Sequence, residues 1–185
     1  MDLTGRSWAI KNCTGSNAYF RCDGFYQQRP YFARQNDQAV AESEAALQED
    51  PDFMAAHAVL GLATEAQGNY GKAILEFRKA LQRSDGRSTE YLDYLGHAYA
   101  ISGDRREAET ILAELDEKIK NGGTPDYRVA TLVALGEKEQ ALKDLEKGSE
   151  NGPYGFMWFK VDPRFDAQSS DSRFQNLMRR AGLIP

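Results

Sequence analysis

The chain has 185 residues, of which 41% are hydrophobic and 28% are charged, a balance typical of a globular domain or a short repeat array. Its formal net charge of −5 argues against nucleic-acid binding, because phosphate recognition needs a concentrated basic surface. No apolar run approaches the roughly 18 residues that cross a bilayer, and the first residues lack a signal-peptide pattern. We therefore predict a cytoplasmic protein, with a periplasmic location as the alternative if the chain is a fragment of a membrane-tethered protein.

Cysteine usage points to no metal site and no cofactor. Cys13 and Cys22 are the two cysteines, nine residues apart (22 − 13), and this spacing matches neither a redox motif nor a zinc motif. Two free thiols are favoured over a disulfide. Residues 1–16 show no periodicity and are predicted to be an irregular extension.

The next stretch contains half-recognisable helices. A first helix is expected near Asn17–Gln28, and Arg29-Pro30-Tyr31 is expected to end it because proline lacks the N–H of an interior helical bond. A second helix follows and ends where Pro51 stands.

Two central segments then fall into register. His57–Thr64 aligns with Leu92–Tyr99, which places Gly61 and Gly96 35 residues apart (96 − 61). Twelve residues after each glycine comes an alanine, and four residues later a large apolar side chain: Ala73 and Phe77, then Ala108 and Leu112. The alternation of small and large residues predicts helix pairs that approach closely, and Gly68-Asn69 and Gly103-Asp104 are expected to end the first helix of each pair.

This pattern resembles the tetratricopeptide repeat, which has a period of about 34 residues, an L-G pair in its first helix and an A-x3-F pattern in its second. The resemblance implies an all-α fold, a right-handed α-solenoid of about four helix hairpins with a C-terminal capping helix. The array is placed at residues 17–152, with its first and last repeats degenerate. The breaker Asn121–Pro125 predicts a short first helix in the last repeat.

Residues 153–185 are assigned to an aromatic segment and the capping helix. Asp171 or Ser172 is a suitable N-cap, Gly182 a suitable stop, and an apolar stripe runs between them. The ending around Asp162-Pro163-Arg164-Phe165 resembles that of tetratricopeptide regions in bacterial regulators, cyclases and kinases. The aromatic residues Tyr154, Phe156, Trp158 and Phe159 are expected to pack in the core, with an exposed patch for a partner or a homodimer as the alternative.

The family's inner helices line a concave groove, and the resemblance implies which residues line it here. We call these nine positions the predicted groove: Ala55, Ala58, Leu62, Glu65, Glu90, Asp93, His97, Ile101 and Asp126. Small, apolar and acidic side chains suit a basic or amphipathic segment of a protein partner. The alternative is that these carboxylates only solubilise the surface.

Catalytic machinery is not apparent. His57 is expected to be a partly buried structural residue, and His97 a polar contact to a ligand. No phosphate-binding loop, nucleophile elbow or set of nucleophile, base and orienting residue occurs, so we predict that the protein is not an enzyme. The sequence favours a scaffold or adaptor that binds a peptide or helix. Alternatives are an effector-sensing domain of a bacterial signalling protein and, less favoured, an enzyme with an unrecognised site.

Overall fold

The computed structural model describes residues 25–123, 125–150, 157–180 and 182–184, and within these ranges it is all-helical. The predicted all-α class is therefore confirmed. The described residues form ten α-helices: α1 Phe25–Phe32, α2 Asn36–Glu49, α3 Met54–Ala66, α4 Tyr70–Arg83, α5 Thr89–Ser102, α6 Arg105–Lys120, α7 Val129–Leu135, α8 Lys138–Glu150, α9 Met157–Val161 and α10 Ser172–Arg180. Two 3-10 turns, Pro125–Arg128 and Pro163–Gln168, lie between them.

The helices stack in chain order. Consecutive helices from α1 to α8 pack against one another, and α5 also packs against α3 and α7. Short turns join α3 to α4 and α5 to α6, so each pair is an antiparallel hairpin. This solenoid-like arrangement places α3, α5 and α7 in one layer, the layer that carries the predicted groove.

The helix boundaries agree with the sequence register. α3 begins at Met54 and α5 at Thr89, equivalent positions of the two aligned segments. Gly103 ends α5 with φ 92°, a left-handed conformation that a side chain disfavours. The side chain of Asp104 then accepts a hydrogen bond from the Glu107 amide at the start of α6. The predicted stops are confirmed, and so is the short first helix of the last repeat, seven residues in α7.

The two aligned glycines are sites of close helix approach. A Cβ atom on Gly61 would collide with the ring of Phe77, and one on Gly96 would lie 2.6 Å from Thr131 Oγ1. Phe77 in turn packs against Tyr94 of the next hairpin, with ring centroids 5.6 Å apart. The alternation of small and large residues therefore sets the spacing within and between hairpins.

The predicted break at Arg29-Pro30-Tyr31 is wrong. α1 runs through Pro30 to Phe32, and the chain turns only at Arg34, which has a left-handed φ of 62°. Pro30 and Tyr31 are buried, and α1 packs against both α2 and α3. This packing outweighs the one helical hydrogen bond that proline cannot donate. The part of the expected helix before residue 25 lies outside the described residues, as do Cys13 and Cys22.

The C-terminal helix packs as a cap on the last hairpin. α10 contacts α8 and buries an apolar stripe of Phe174, Leu177 and Met178. The Asp171 carboxylate accepts a hydrogen bond from the Arg173 amide at 2.8 Å, which confirms it as the N-cap. Phe159 is buried edge-to-face against Phe165, as core packing predicts. Tyr154 and Phe156, and the side chain of Trp158, lie outside the described residues.

Candidate functional site

The centre of the predicted groove is covered by the protein's own chain. Six of its nine side chains are buried: Ala55, Ala58, Leu62, Glu65, Asp93 and His97. Glu90 is half-buried, Ile101 is 36% exposed, and the side chain of Asp126 lies outside the described residues. Tyr31 of α1 packs with Ala58 and Leu62 in one core cluster. A role for these positions in binding a partner stays a prediction.

An arginine from the C-terminal part of the chain fills the middle of this surface. Arg164 lies in the second 3-10 turn, and its side chain is only 8% exposed. Its Nη2 and Nε atoms donate to Asp162 Oδ2 at 2.6 and 3.0 Å. Its Nη1 lies 3.7 Å from Asp93 Oδ2, and its Cζ lies 4.5 Å from the centre of the Tyr94 ring. A carboxylate pair and an aromatic face therefore hold one guanidinium group.

α1 closes this arrangement from the opposite side. Tyr31 Oη donates to Asp162 Oδ1 at 3.0 Å, across 131 residues of sequence. Gln28 Nε2 donates to Tyr94 Oη at 3.3 Å, and Tyr94 Oη donates to a carboxylate oxygen of Glu90. We call Tyr31, Asp93, Tyr94, Asp162 and Arg164 the arginine cluster. It joins α1, α5 and the 3-10 turn.

Asp93 is held in place by the next inner helix. Its Oδ1 accepts hydrogen bonds from the amide and the hydroxyl of Thr131 at 3.0 and 2.8 Å. Thr131 reaches Asp93 because Gly96, one turn further along α5, leaves room for the threonine side chain. The repeat glycine thus positions an acidic group on the predicted groove.

The two aspartates beside Arg164 have pKa values shifted in opposite directions. Burial raises the pKa of Asp93 from 3.8 to about 6, although Arg164 and Thr131 oppose the shift. Burial acts the same way on Asp162, but the guanidinium and its hydrogen bonds outweigh it and hold the Asp162 pKa below 3.8. Burial also opposes the charge on Arg164, but Asp162 more than offsets it and raises the Arg164 pKa well above its ordinary value. The strong ion pair is therefore Asp162–Arg164, and Asp93 is the weaker partner.

Some polar atoms on this surface lack hydrogen bonds. His97 Nδ1 lies 3.0 Å from Glu65 Oε1, an ion-pair distance, but the two atoms are not aligned for a hydrogen bond. Within the described part of the chain, Glu65 Oε2 and Arg164 Nη1 also have no hydrogen-bond partner.

A second buried polar group lies inside a single hairpin. His57 Nδ1 is 2.6 Å from Glu76 Oε2, and His57 Nε2 is 2.9 Å from the Pro51 carbonyl oxygen. Lys79 Nζ donates to the other Glu76 oxygen at 2.8 Å. We call His57, Glu76, Lys79 and the Pro51 carbonyl the histidine cluster. His57 is 5% exposed, so it is buried more fully than the partly buried structural residue that the sequence predicts.

A cavity of about 390 Å³ lies away from the predicted groove, between α6, α7 and α8. Arg128 on its wall donates to Asp144 at 2.5 and 3.0 Å and also bonds Asp116. Arg105 on the opposite wall donates to Glu109 at 2.7 Å. Both arginines of this cavity are engaged by the protein's own carboxylates.

Three further observations concern metal binding, membrane spanning and similarity to known proteins. Among the described residues, no three histidine, cysteine, aspartate or glutamate side chains are grouped to hold a metal ion. No helix in the described ranges has both the length and the apolar character to span a bilayer. No protein-family model matches the chain, and no curated protein matches it.

Sequence reasoning missed Arg164 and Tyr31 as members of the site. The tail motif that contains Arg164 carries only the resemblance of the C-terminal ending to other proteins. A usable signal was the charge balance of the predicted groove, which has Glu65, Glu90 and Asp93 and no lysine or arginine. A buried carboxylate needs a counter-charge, so a cation from a distant segment was required.

Proposed function

We propose that this protein is a protein–protein interaction module of the tetratricopeptide type, which binds a segment of another chain at the predicted groove. One observation carries the proposal: this surface already holds a segment of polypeptide through a buried side chain, Arg164, seated on Asp93 and the Tyr94 ring. A surface built on packed helices is formed before the partner arrives, so little ordering cost opposes binding.

The chemistry of the surface favours a cationic segment. Three carboxylates of the predicted groove, those of Glu65, Glu90 and Asp93, lie on α3 and α5. The exposed Ile101 at the end of α5 adds an apolar contact at the edge. Acidic groups beside an apolar edge match a basic or amphipathic peptide, with charge steering the encounter and apolar contacts adding affinity.

A peptide array tests the proposal with two matched variants. Full-length protein is applied to short immobilised peptides of mixed sequence, as wild type, Ile101→Lys and Leu75→Lys. Both positions carry exposed aliphatic side chains, at 36% and 52% exposure, but Leu75 lies on α4, outside the predicted groove. We expect wild type and Leu75→Lys to retain the same peptides, and Ile101→Lys to lose them.

Loss of binding in both lysine variants would assign the effect to added surface charge and contradict the proposed location. Retention of the same peptides by all three proteins would place the contact elsewhere. If no protein retains any peptide, the interaction role itself is wrong. Asp93 is unsuitable for a charge-reversal test because it is buried and bonded to Thr131.

A further inference from the structure

We propose that the groove is self-occupied: Arg164 sits where an arginine of the partner peptide binds, and the partner must displace it. This inference rests on the proposed function and names both the class of partner, an arginine-bearing peptide, and the regulation of the site. It starts from the groups that surround the guanidinium.

Part of the seat for the guanidinium is built by elements other than the turn that carries Arg164. α5 supplies the Asp93 carboxylate and the Tyr94 ring, and Tyr31 of α1 holds the neighbouring Asp162 by a hydrogen bond. If Arg164 withdraws, these groups stay because they belong to packed helices. A planar cation that can stack on an aromatic ring fits this seat better than the compact ammonium of lysine.

Withdrawal of Arg164 would leave an acidic surface in need of a cation. Glu65, Glu90 and Asp93 would remain, and His97 would be the one basic side chain of the predicted groove. A buried carboxylate that loses its cation is destabilising until water or another cation reaches it. This penalty selects a cationic replacement over a neutral one, which gives the seat its specificity for arginine.

The strongest bond of Arg164 does not oppose its release. Its pair with Asp162 lies within the turn, so both residues leave together with the pair intact. What ties the Asp162–Arg164 end of the turn to the helices is the Tyr31–Asp162 hydrogen bond, the 3.7 Å approach of Arg164 to Asp93 and the contact with the Tyr94 ring. The rest of the turn is held by the buried Phe165 and by an exposed Arg34–Asp166 pair, a kind of pair that contributes little.

The contact of Arg164 with Asp93 lacks a hydrogen bond, and the turn is anchored at its other end. Arg164 Nη1 has no hydrogen-bond partner in the described structure, and neither has Glu65 Oε2. An arginine of the partner that donates to Asp93 gains a hydrogen bond that Arg164 Nη1 lacks. Phe165 is buried in a core cluster that also contains the apolar residues of α10. Only the Asp162–Arg164 end of the turn therefore has to move.

The test uses a labelled synthetic peptide with the sequence of residues 160–168, Lys-Val-Asp-Pro-Arg-Phe-Asp-Ala-Gln, titrated into the full chain. Arg164→Ala frees the seat, and we expect it to bind this peptide at least about fivefold more tightly than wild type, the lower end of ordinary coupling between sites. A second peptide carries citrulline, which keeps the shape of arginine without its charge. We expect it not to bind.

Two further variants protect the result. Arg173→Ala removes an arginine of α10 that pairs with Glu139 at the surface, so its affinity for the peptide is expected to equal that of wild type. Tyr31→Phe keeps the ring but removes the hydroxyl that holds Asp162, and is expected to increase affinity without disturbing the core. It decides the question if Arg164→Ala does not fold.

Equal affinity of wild type and the two opened variants, Arg164→Ala and Tyr31→Phe, would overturn self-occupation. So would equal binding of the arginine and citrulline peptides. The interaction role would survive either result if the array peptides still depend on Ile101. Absence of binding by any peptide, in any variant and on the array, would instead remove the proposed function itself.

Discussion

The histidine cluster and the arginine cluster are both buried and charged, but they are built from different ranges of sequence. His57 and Glu76 are 19 residues apart and belong to one hairpin, α3 and α4. Tyr31 and Asp162 are 131 residues apart and belong to different ends of the described structure. One cluster lies within a hairpin and its lead-in, whereas the other joins segments that are distant in the sequence.

The two clusters also differ in how many of their polar atoms have a close partner. Both ring nitrogens of His57 face acceptors, and both Glu76 oxygens have close partners. Arg164, in contrast, keeps one nitrogen without a hydrogen bond and lies beside an aspartate whose pKa is raised by burial to about 6. Full satisfaction suits a permanent structural contact, and partial satisfaction suits a contact that is exchanged for another. Each of the following predictions tests that contrast.

The largest effect is expected from Glu76→Ala. It leaves His57 facing the Pro51 carbonyl with no carboxylate partner, and breaking such a buried pair costs about 3 kcal/mol of unfolding free energy. Urea unfolding followed by circular dichroism measures the loss. Peptide affinity at the predicted groove is expected to stay unchanged in the protein that remains folded. A loss below that of Arg164→Ala would reverse the assigned roles of the two clusters.

A smaller loss is expected from Arg164→Ala, about 2 kcal/mol, because the polar atoms it leaves gain access to water once the turn loosens. The same unfolding assay measures it, with Arg173→Ala as the matched control. Arg173 is exposed and its bidentate pair with Glu139 lies at the surface, so no measurable change is expected there. Arg164→Ala with the stability of wild type would mean that the seat is already open to water.

The smallest effect is a change in pH dependence on Asp93→Asn. Burial raises the Asp93 pKa from 3.8 to about 6, so the folded state binds a proton more readily than the unfolded state. Stability is therefore lost as pH rises through this window. The charged groups facing Asp93 are Arg164 and His97. Asp162 adds no pH dependence of stability in this window. Its pKa is lowered, so the stability that it contributes is lost only below pH 3.8.

We expect the difference in unfolding free energy between Asp93→Asn and wild type to shift in favour of the variant between about pH 4 and about pH 7. Taking the difference cancels the groups that do not face Asp93 and leaves the titration of Asp93 together with its interaction with His97. The amide still accepts from Thr131, so the fold is kept. A difference that is constant across the window would show that Asp93 is neutralised in some other way.

Local features of the fold were predictable from the sequence, and distant contacts were not. Gly103 marked the end of α5, and Gly61 and Gly96 marked the close approaches, because backbone conformation and small size act within a few residues. The helix break predicted at Pro30 is wrong because the packing of α1 on α3 outweighs a missing hydrogen bond. The cover over the predicted groove could not be foreseen, since it depends on Arg164 meeting residues far upstream.

The parts of the arginine cluster are synthesised at different times. Asp93 is synthesised 71 residues before Arg164 (164 − 93), so α3 and α5 exist before the arginine that covers them. During that interval the acidic surface is open to water and to any neighbouring chain. Under the proposed self-occupation, a partner that meets the protein on the ribosome finds the seat empty, whereas a partner that arrives after release has to compete with Arg164.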